Sequence, residues 1–296
     1  MTPCSEKCLG VKIEEMIASR LPQSAPSYPV LLEAMRYAVL GGGKRVRGRL
    51  FLLGGSSLGI SETELADYVA ALEMIHAYSL VHDDLPAMDN DDLRRGKPSL
   101  HKAFGEATAI LTGDALLHQA MEILFHAAER SLAAARTSSY LAHCAGFYGM
   151  VGGQAMDLFL VGGDPHAVRE DFVREMQLRK TAALFRAALA GPLLLAGRDE
   201  LKARGEALAD AVGEAYQLVD DLLDEDRSAV NLGKSQGKDR RDHKISSLSY
   251  WGLAAAHERL DNLRARAEKL LDQLSEKGYG SEELSTLLAS LWARRR

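Results

Sequence analysis

Two clusters of aspartates carry the clearest chemistry in this sequence. Asp83, Asp84 and Asp89 form the first, with Asp91 and Asp92 just beyond. Asp220, Asp221 and Asp224 form the second, where Asp220 and Asp224 stand four apart and share a helix face. Like charges this close repel, and acids at a helix C-terminus also meet the negative end of its dipole. A divalent cation relieves both costs. Carboxylate oxygens are hard donors, and one or two of them completed by water and phosphate is the magnesium pattern. A solvated acidic face accounts for either cluster alone about as well. Two clusters, each read as ending a long helix and each followed by a basic loop, point instead to several ions. The ligand between two facing clusters would be a polyanion such as diphosphate.

Four sets of cations accompany these acids. Lys44, Arg45 and Arg47 follow Gly41-Gly42-Gly43, and Arg94 and Arg95 follow the first cluster. Arg179 and Lys180, with Thr181, lie within a helical stretch, and Lys234, Lys238, Arg240, Arg241 and Lys244 follow the second cluster. Arginine grips phosphate oxygens bidentately, whereas lysine acts as a point charge. The GGGKR segment lacks the spacing and the preceding strand of a phosphate loop, so alone it is weak. Singly, each basic set reads as a solvated face. His76 stands two turns before Asp83, within reach of the same cavity.

The elements that must position these residues read as helices almost throughout. Ser61 and Glu64 make a capping box ahead of Leu65, Val69, Leu72 and Ile75, which predicts a helix with one buried face leading to the first cluster. The preceding helix runs from about Pro29 to Leu40 and stops at the three glycines. Further stretches fall at roughly 106–130, 138–160, 169–191, 199–225, 245–276 and 281–294. No run alternates convincingly, so no sheet is expected, and no linker or repeat divides the chain. The expectation is one all-α domain over residues 1–296, of about eight to ten helices, with residues 1–25 as a loosely packed N-terminal segment. Two polar segments, 83–99 and 225–244, break the helical rhythm, and long polar loops in compact helical proteins are usually functional or disordered.

Bulk numbers set limits. The chain has 296 residues, 47% of them hydrophobic, enough for a large core. Its net charge of −5 makes no electrostatic case for nucleic acid or for an anionic membrane surface. Cys4, Cys8 and Cys144 are odd in number and suggest no disulfide framework, so Cys4 and Cys8 read as loose thiols in a reduced, cytoplasmic setting. The first residues have no apolar secretory core, and Glu6, Glu14 and Glu15 argue against a transit peptide. The most apolar stretch, residues 182–197, is interrupted by Arg186 and Pro192, so no membrane span is expected.

With these residues in place, the chain resembles the trans-isoprenyl diphosphate synthases. It is most similar to the bacterial farnesyl diphosphate synthases, with the geranylgeranyl enzymes close behind. The resemblance covers about residues 30–245. It is strongest from Glu73 to Leu117, where Pro86 and Ala87 are the two extra residues of the bacterial first aspartate motif. YQLVDDLLD at 216–224 matches the second motif, and GGGKRVR, GGQAMD and LGK match smaller ones. The resemblance implies an isoprenoid-synthase-type bundle around a deep central cavity. It also implies a homodimer, and about three Mg2+ ions per active site, with Mn2+ as a substitute. Asp83, Asp84 and Asp89 would bind metal on one wall, and Asp220, Asp221 and Asp224 on the other. The ions, with Arg94, Lys180 and Lys234, would hold an allylic diphosphate, dimethylallyl or geranyl. Lys44, Arg47, His76 and Arg95 would hold isopentenyl diphosphate. Lys244 is a further substrate-binding candidate, and Gln154, Asp157, Thr181 and Gln217 would line the reacting centre.

The chemistry implied is ionisation of the allylic C–O bond, attack by the isopentenyl double bond, and loss of a proton to the released diphosphate. In resembling enzymes a bulky residue five before the first aspartate stops chain growth. Tyr78 and its neighbour Ser79 stand about one turn before Asp83, so farnesyl diphosphate is the expected product, with geranylgeranyl diphosphate as the alternative. Departures from the pattern are Gly48 in place of a proline, Glu225-Asp226 after the second motif, and Lys244-Ile245-Ser246-Ser247-Leu248 at a later segment. Arg294, Arg295 and Arg296 match the family's basic C-terminus, or are a solvated tail. Three rivals are a class I terpene cyclase, a histidine–aspartate phosphohydrolase and a non-catalytic partner subunit. The first should show an asparagine–serine–glutamate motif, the second more clustered histidines, and the third lost acids or cations.

Overall fold

The structure is a computed structural model of the chain and describes residues 6–160, 169–230 and 250–293, without the side chains of residues 6, 7, 160 and 224–230. Its contacts divide into two compact units, 1–139 with 194–197, and 140–193 with 198–296.

The first unit is built around one helix. It contains α1 (Glu6–Ala18), α2 (Pro29–Val39), α3 (Val46–Ser57), α4 (Glu62–Asp83), a hairpin of β1 (Leu93–Arg94) and β2 (Lys97–Pro98), α5 (Leu100–Phe104), α6 (Glu106–Ala128) and most of α7 (Leu132–Ala145). The capping box starts α4 as expected, because the Ser61 hydroxyl accepts from the Glu64 amide. One buried face was expected of α4, yet it is buried on all sides, with Leu65, Tyr68, Val69, Leu72, Met74 and Ile75 fully enclosed. It packs against α6, α3 and α1 and so serves as the unit's axis. Two acids go inside with it. Asp67 pairs with Arg20 and Arg130, and Glu73 pairs with Arg45, since a buried charge needs a partner.

Three expectations fail here. The N-terminal segment is not loose where it is described, for Ile13, Met16, Ile17 and Leu21 of α1 and the residues after it are buried. Cys8 is disulfide-bonded, not a loose thiol, while Cys4 lies outside the described residues, so these two residues no longer argue for a reduced setting. A small sheet does exist, an antiparallel ladder pairing Leu93 with Pro98 and Arg94 with Lys97. Its turn residues, Arg95 and Gly96, both have positive φ (54° and 74°), the two-residue turn whose twist suits a hairpin. Two-residue strands are too short to show an alternating pattern.

The second unit holds α8 (Met150–Leu160), α9 (Glu170–Gln177), a π-helical turn (Leu178–Ala182), most of α10 (Ala183–Leu195), α11 (Lys202–Val230), α12 (Leu253–Ser275) and α13 (Glu282–Trp292). The stretch expected as one helix at 138–160 is broken after Ala145. A Cβ on Gly149 would lie 1.9 Å from the Cys144 carbonyl oxygen, so the tight turn there depends on glycine. The α9–π–α10 run is otherwise the continuous helix expected at 169–191. Its π turn packs against α8, α9 and α11, and α11 packs against α12 and α13.

Candidate active site

In the first unit, the backbone after α4 folds back on the helix end. The Asp89 amide donates to the Asp83 carbonyl at 2.8 Å, and the Asp91 amide to the Asp84 carbonyl at 3.2 Å. The residues from Leu85 to Met88, Pro86 and Ala87 among them, make the loop that lets Asp89 return beside Asp83. The carboxylates themselves do not converge. Asp84 is buried and takes the Arg94 guanidinium, with Nε 3.0 Å from Oδ1, and Arg94 also reaches Asp91 at 3.2 Å. Asp83 and Asp89 are half-buried. Among the described residues no three His, Cys, Asp or Glu side chains gather as a metal-binding group. Of the three expected metal ligands of this motif, Asp84 is paired with a guanidinium, while Asp83 and Asp89 are brought onto adjoining backbone. Burial pushes the Asp84 carboxyl above its ordinary value, and Arg94 opposes that shift.

The basic residues of this unit do come together. The Arg95 guanidinium donates to the Gly42 carbonyl and packs close to Gly43, where a Cβ would come within 2.9 Å of its Cζ. Gly42 and Gly43 have φ of 89° and 128°, which only glycine adopts freely. Arg47 Nη1 stands 3.3 Å from His76 Nε2. Burial, and then the charges of Arg47, Arg95, Arg45 and Arg94, hold His76 well below the usual histidine range. The imidazole is thus held neutral, with the Arg47 guanidinium beside it. Asp84, Arg94, Arg95 and Lys97 line one cleft with Tyr37 and Gly41. Lys44 is exposed in the glycine loop.

Arg45 proves structural. It is buried, bonds Glu14 (2.7 Å) and the Val39 carbonyl, and pairs with Glu73 (3.3 Å). The other oxygen of Glu73 accepts the Gly48 amide at 2.8 Å. A proline at position 48 has no N–H to give, so the departure from the family pattern has a local use. Tyr78 is buried on α4, edge-on to His82 at 5.9 Å, and burial with the nearby Asp83 pushes its phenol up to about 12. Ser79 bonds back to the His76 carbonyl (2.9 Å), a local bond within α4.

In the second unit the sequence-picked residues form two short chains. Lys180 Nζ reaches Asp157 Oδ2 at 2.5 Å. The Thr181 hydroxyl donates to Gln217 Oε1 at 2.9 Å, and Gln217 Nε2 donates to Asp221 Oδ1 at 2.9 Å. Asp220 and Asp221 are half-buried on α11, which continues past the motif to Val230 and so does not end there as expected. Gln154 is half-buried one turn before Asp157, and its buried Nε2 has no hydrogen-bond partner among the described residues. Arg179 instead pairs with Glu175 on the outer surface. The Asp224 side chain, Lys234, Lys244 and Arg294–Arg296 lie outside the described residues.

Comparison with known proteins identifies the family to which the chain belongs. The polyprenyl synthetase family model matches residues 28–279, across both units. The farnesyl diphosphate synthase of Escherichia coli is 41% identical over 87% of each chain. The large subunit 1 of the heterodimeric geranylgeranyl pyrophosphate synthase of Arabidopsis thaliana is 41% identical over 87% of this chain and 69% of its own. The solved structure of a FPP/GFPP synthase from Zymomonas mobilis superposes with a TM-score of 0.81 at 33% identity, covering 97% of this chain and 95% of its own. No helix among the described residues is long and apolar enough to cross a membrane. The all-helical fold, the ordered motifs and these likenesses together establish that the chain belongs to the polyprenyl synthetase family of trans-prenyltransferases.

Proposed function

We propose that the protein, acting as one catalytic domain, condenses isopentenyl diphosphate with dimethylallyl or geranyl diphosphate and yields mainly farnesyl diphosphate. The observation that carries this reading is Arg47 set beside His76, with Arg94, Arg95 and Lys97 lining one cleft with Asp84 of the first aspartate motif. Such a concentration of guanidinium on one wall suits a diphosphate. Lys44, Arg47, His76 and Arg95 take the isopentenyl diphosphate, and Arg94, Lys180 and Lys234 take the allylic one. Asp157 orients Lys180. Thr181 and Gln217 turn their dipoles toward the allylic cation left when the C–O bond breaks, where fixed dipoles stabilise charge without reorganising. The isopentenyl double bond forms the new C–C bond, and the departing diphosphate accepts the proton that restores neutrality.

The residues present fit a hard divalent ion such as Mg2+. Asp83 and Asp89 are half-buried on adjoining backbone, Asp220 and Asp221 are half-buried on α11, and Mg2+ takes one or two carboxylates while keeping waters. Asp84, now paired with Arg94, would be a further ligand were that guanidinium to engage phosphate. The chemistry a bound ion supplies is neutralisation of the departing diphosphate.

Product length rests on Tyr78, because relatives named for farnesyl and for geranylgeranyl diphosphate stand at the same 41% identity. Its ring is buried about one turn from Asp83 and stays neutral at working pH, as the floor of an apolar tail site must. A homodimer is also proposed, supported by Ile110, Leu111 and Phe125 standing exposed on α6. Incubating the pure protein with Mg2+, isopentenyl diphosphate and each allylic primer, then sizing the product, tests the reading. Farnesyl diphosphate is expected, with a shift to longer products in Tyr78→Ala. Absence of any condensation would overturn the activity. A geranylgeranyl main product from the wild type, or an unchanged Tyr78→Ala distribution, would overturn Tyr78 as the floor.

A further inference from the structure

The π-helical turn that carries Lys180 and Thr181 is gripped from two sides by helices that present the same device. On α8, a Cβ on Gly153 would lie 2.0 Å from the Lys180 amide nitrogen and 2.5 Å from its Cα. On α11, a Cβ on Gly213 would lie 2.5 Å from the Ala182 Cβ and 2.6 Å from its Cα. Four residues after each glycine, on the same helix face, stands the group that catches the turn's side chain. Asp157 follows Gly153 and holds Lys180 Nζ, while Gln217 follows Gly213 and accepts from the Thr181 hydroxyl. Four residues further on, Asp221 accepts from Gln217 and carries the contact into the second aspartate motif.

A π turn is rare and wider than an α turn, because it holds an extra residue. Neighbouring helices can close on it only where they offer bare backbone. We infer that Gly153 and Gly213 are positioning residues for the prenyl transfer. Their missing side chains let α8 and α11 seat the π turn so that Lys180 and Thr181 meet Asp157 and Gln217. This rests on the reading of the site proposed above. A methyl at either position must displace backbone, and a displacement near 1 Å at a reacting centre costs about 10²-fold in rate.

The test compares Gly153→Ala and Gly213→Ala with Gly205→Ala. Gly205 makes a similar close crossing two turns earlier on α11, where its Cβ would lie 2.7 Å from Leu193 Cδ1. All three are expected to lower the melting temperature. Only the first two are expected to lower kcat, by about 10²-fold, with KM for isopentenyl diphosphate within about twofold of wild type. The Gly213→Ala and Thr181→Val effects on kcat should also be non-additive, since both break the Thr181–Gln217 contact. An equal kcat loss in Gly205→Ala, additive effects in the cycle, normal kcat in both glycine variants, or failure of both to fold would overturn the inference. Activity of the wild type in the same assay separates this outcome from failure of the functional reading.

Discussion

The two aspartate motifs reach their positions by opposite routes. In the first, the helix stops at Asp83 and a loop folds back, so backbone hydrogen bonds bring Asp89 alongside Asp83 while Asp84 is tied to Arg94. In the second, α11 runs on to Val230, and the acids stand on a helix whose Thr181–Gln217–Asp221 chain anchors one face to the π turn. A loop-built motif depends on a charged partner to settle its buried acid. A helix-built motif inherits its order from the regular spacing of i and i+4 residues. The contrast locates where each region is vulnerable.

The largest effect should be common to both. Asp83→Ala and Asp220→Ala should each lower kcat by about 10³-fold with melting temperature unchanged, because the lost interaction acts on developing transition-state charge. Near-normal turnover in both, or full activity in excess chelator, would remove the carboxylates from the chemistry.

A second measurement should split the regions. Arg94→Ala leaves Asp84 buried without its guanidinium and should cost about 1–3 kcal/mol of stability, whereas Gln217→Ala, at a half-buried site, should cost less. Burial already raises the Asp84 carboxyl, and losing Arg94 raises it further. A raised carboxyl favours the fold when protonated, so that contribution is present at acid pH and lost as pH rises through the raised value. Urea midpoints of Arg94→Ala against wild type should therefore differ least in acid and most at neutral pH. A pH-independent difference would show that the pair does not govern the loop. The smallest effect is expected from Arg95→Ala, which should raise KM for isopentenyl diphosphate about tenfold and spare that of the allylic substrate. Lys234→Ala should do the reverse, and exchanged effects in steady-state kinetics would swap the two diphosphate assignments.

Much of the helical framework was legible because its signals are local. The Ser61 cap, the Pro29 start and the apolar spacing of α6 and α13 place those helices within a few residues. The aspartates and arginines stood out because charges gathered in otherwise apolar stretches need a reason. Arg45 illustrates what was not legible. In the sequence it is one more cation beside Lys44 and Arg47, and only the proximity of Glu73 and Glu14, 28 and 31 residues away, makes it structural. Likewise Gly213 reads as an ordinary helical glycine, and Gly153 only as a member of the GGQAMD motif, until the backbone they touch is known.

The sequence by itself determined the family, the all-helical class and the identity of the charged motifs, because periodicity, capping and motif order are properties of neighbours along the chain. Tertiary structure decided which charges serve the fold and which face the site. It turned Asp84 to Arg94, enclosed α4 on every side, set Arg47 beside a neutral His76 and seated the π turn between two glycines. Each of these depends on which groups meet after the chain has folded, and burial and Coulomb interaction are fixed by distance in space, not by separation in sequence.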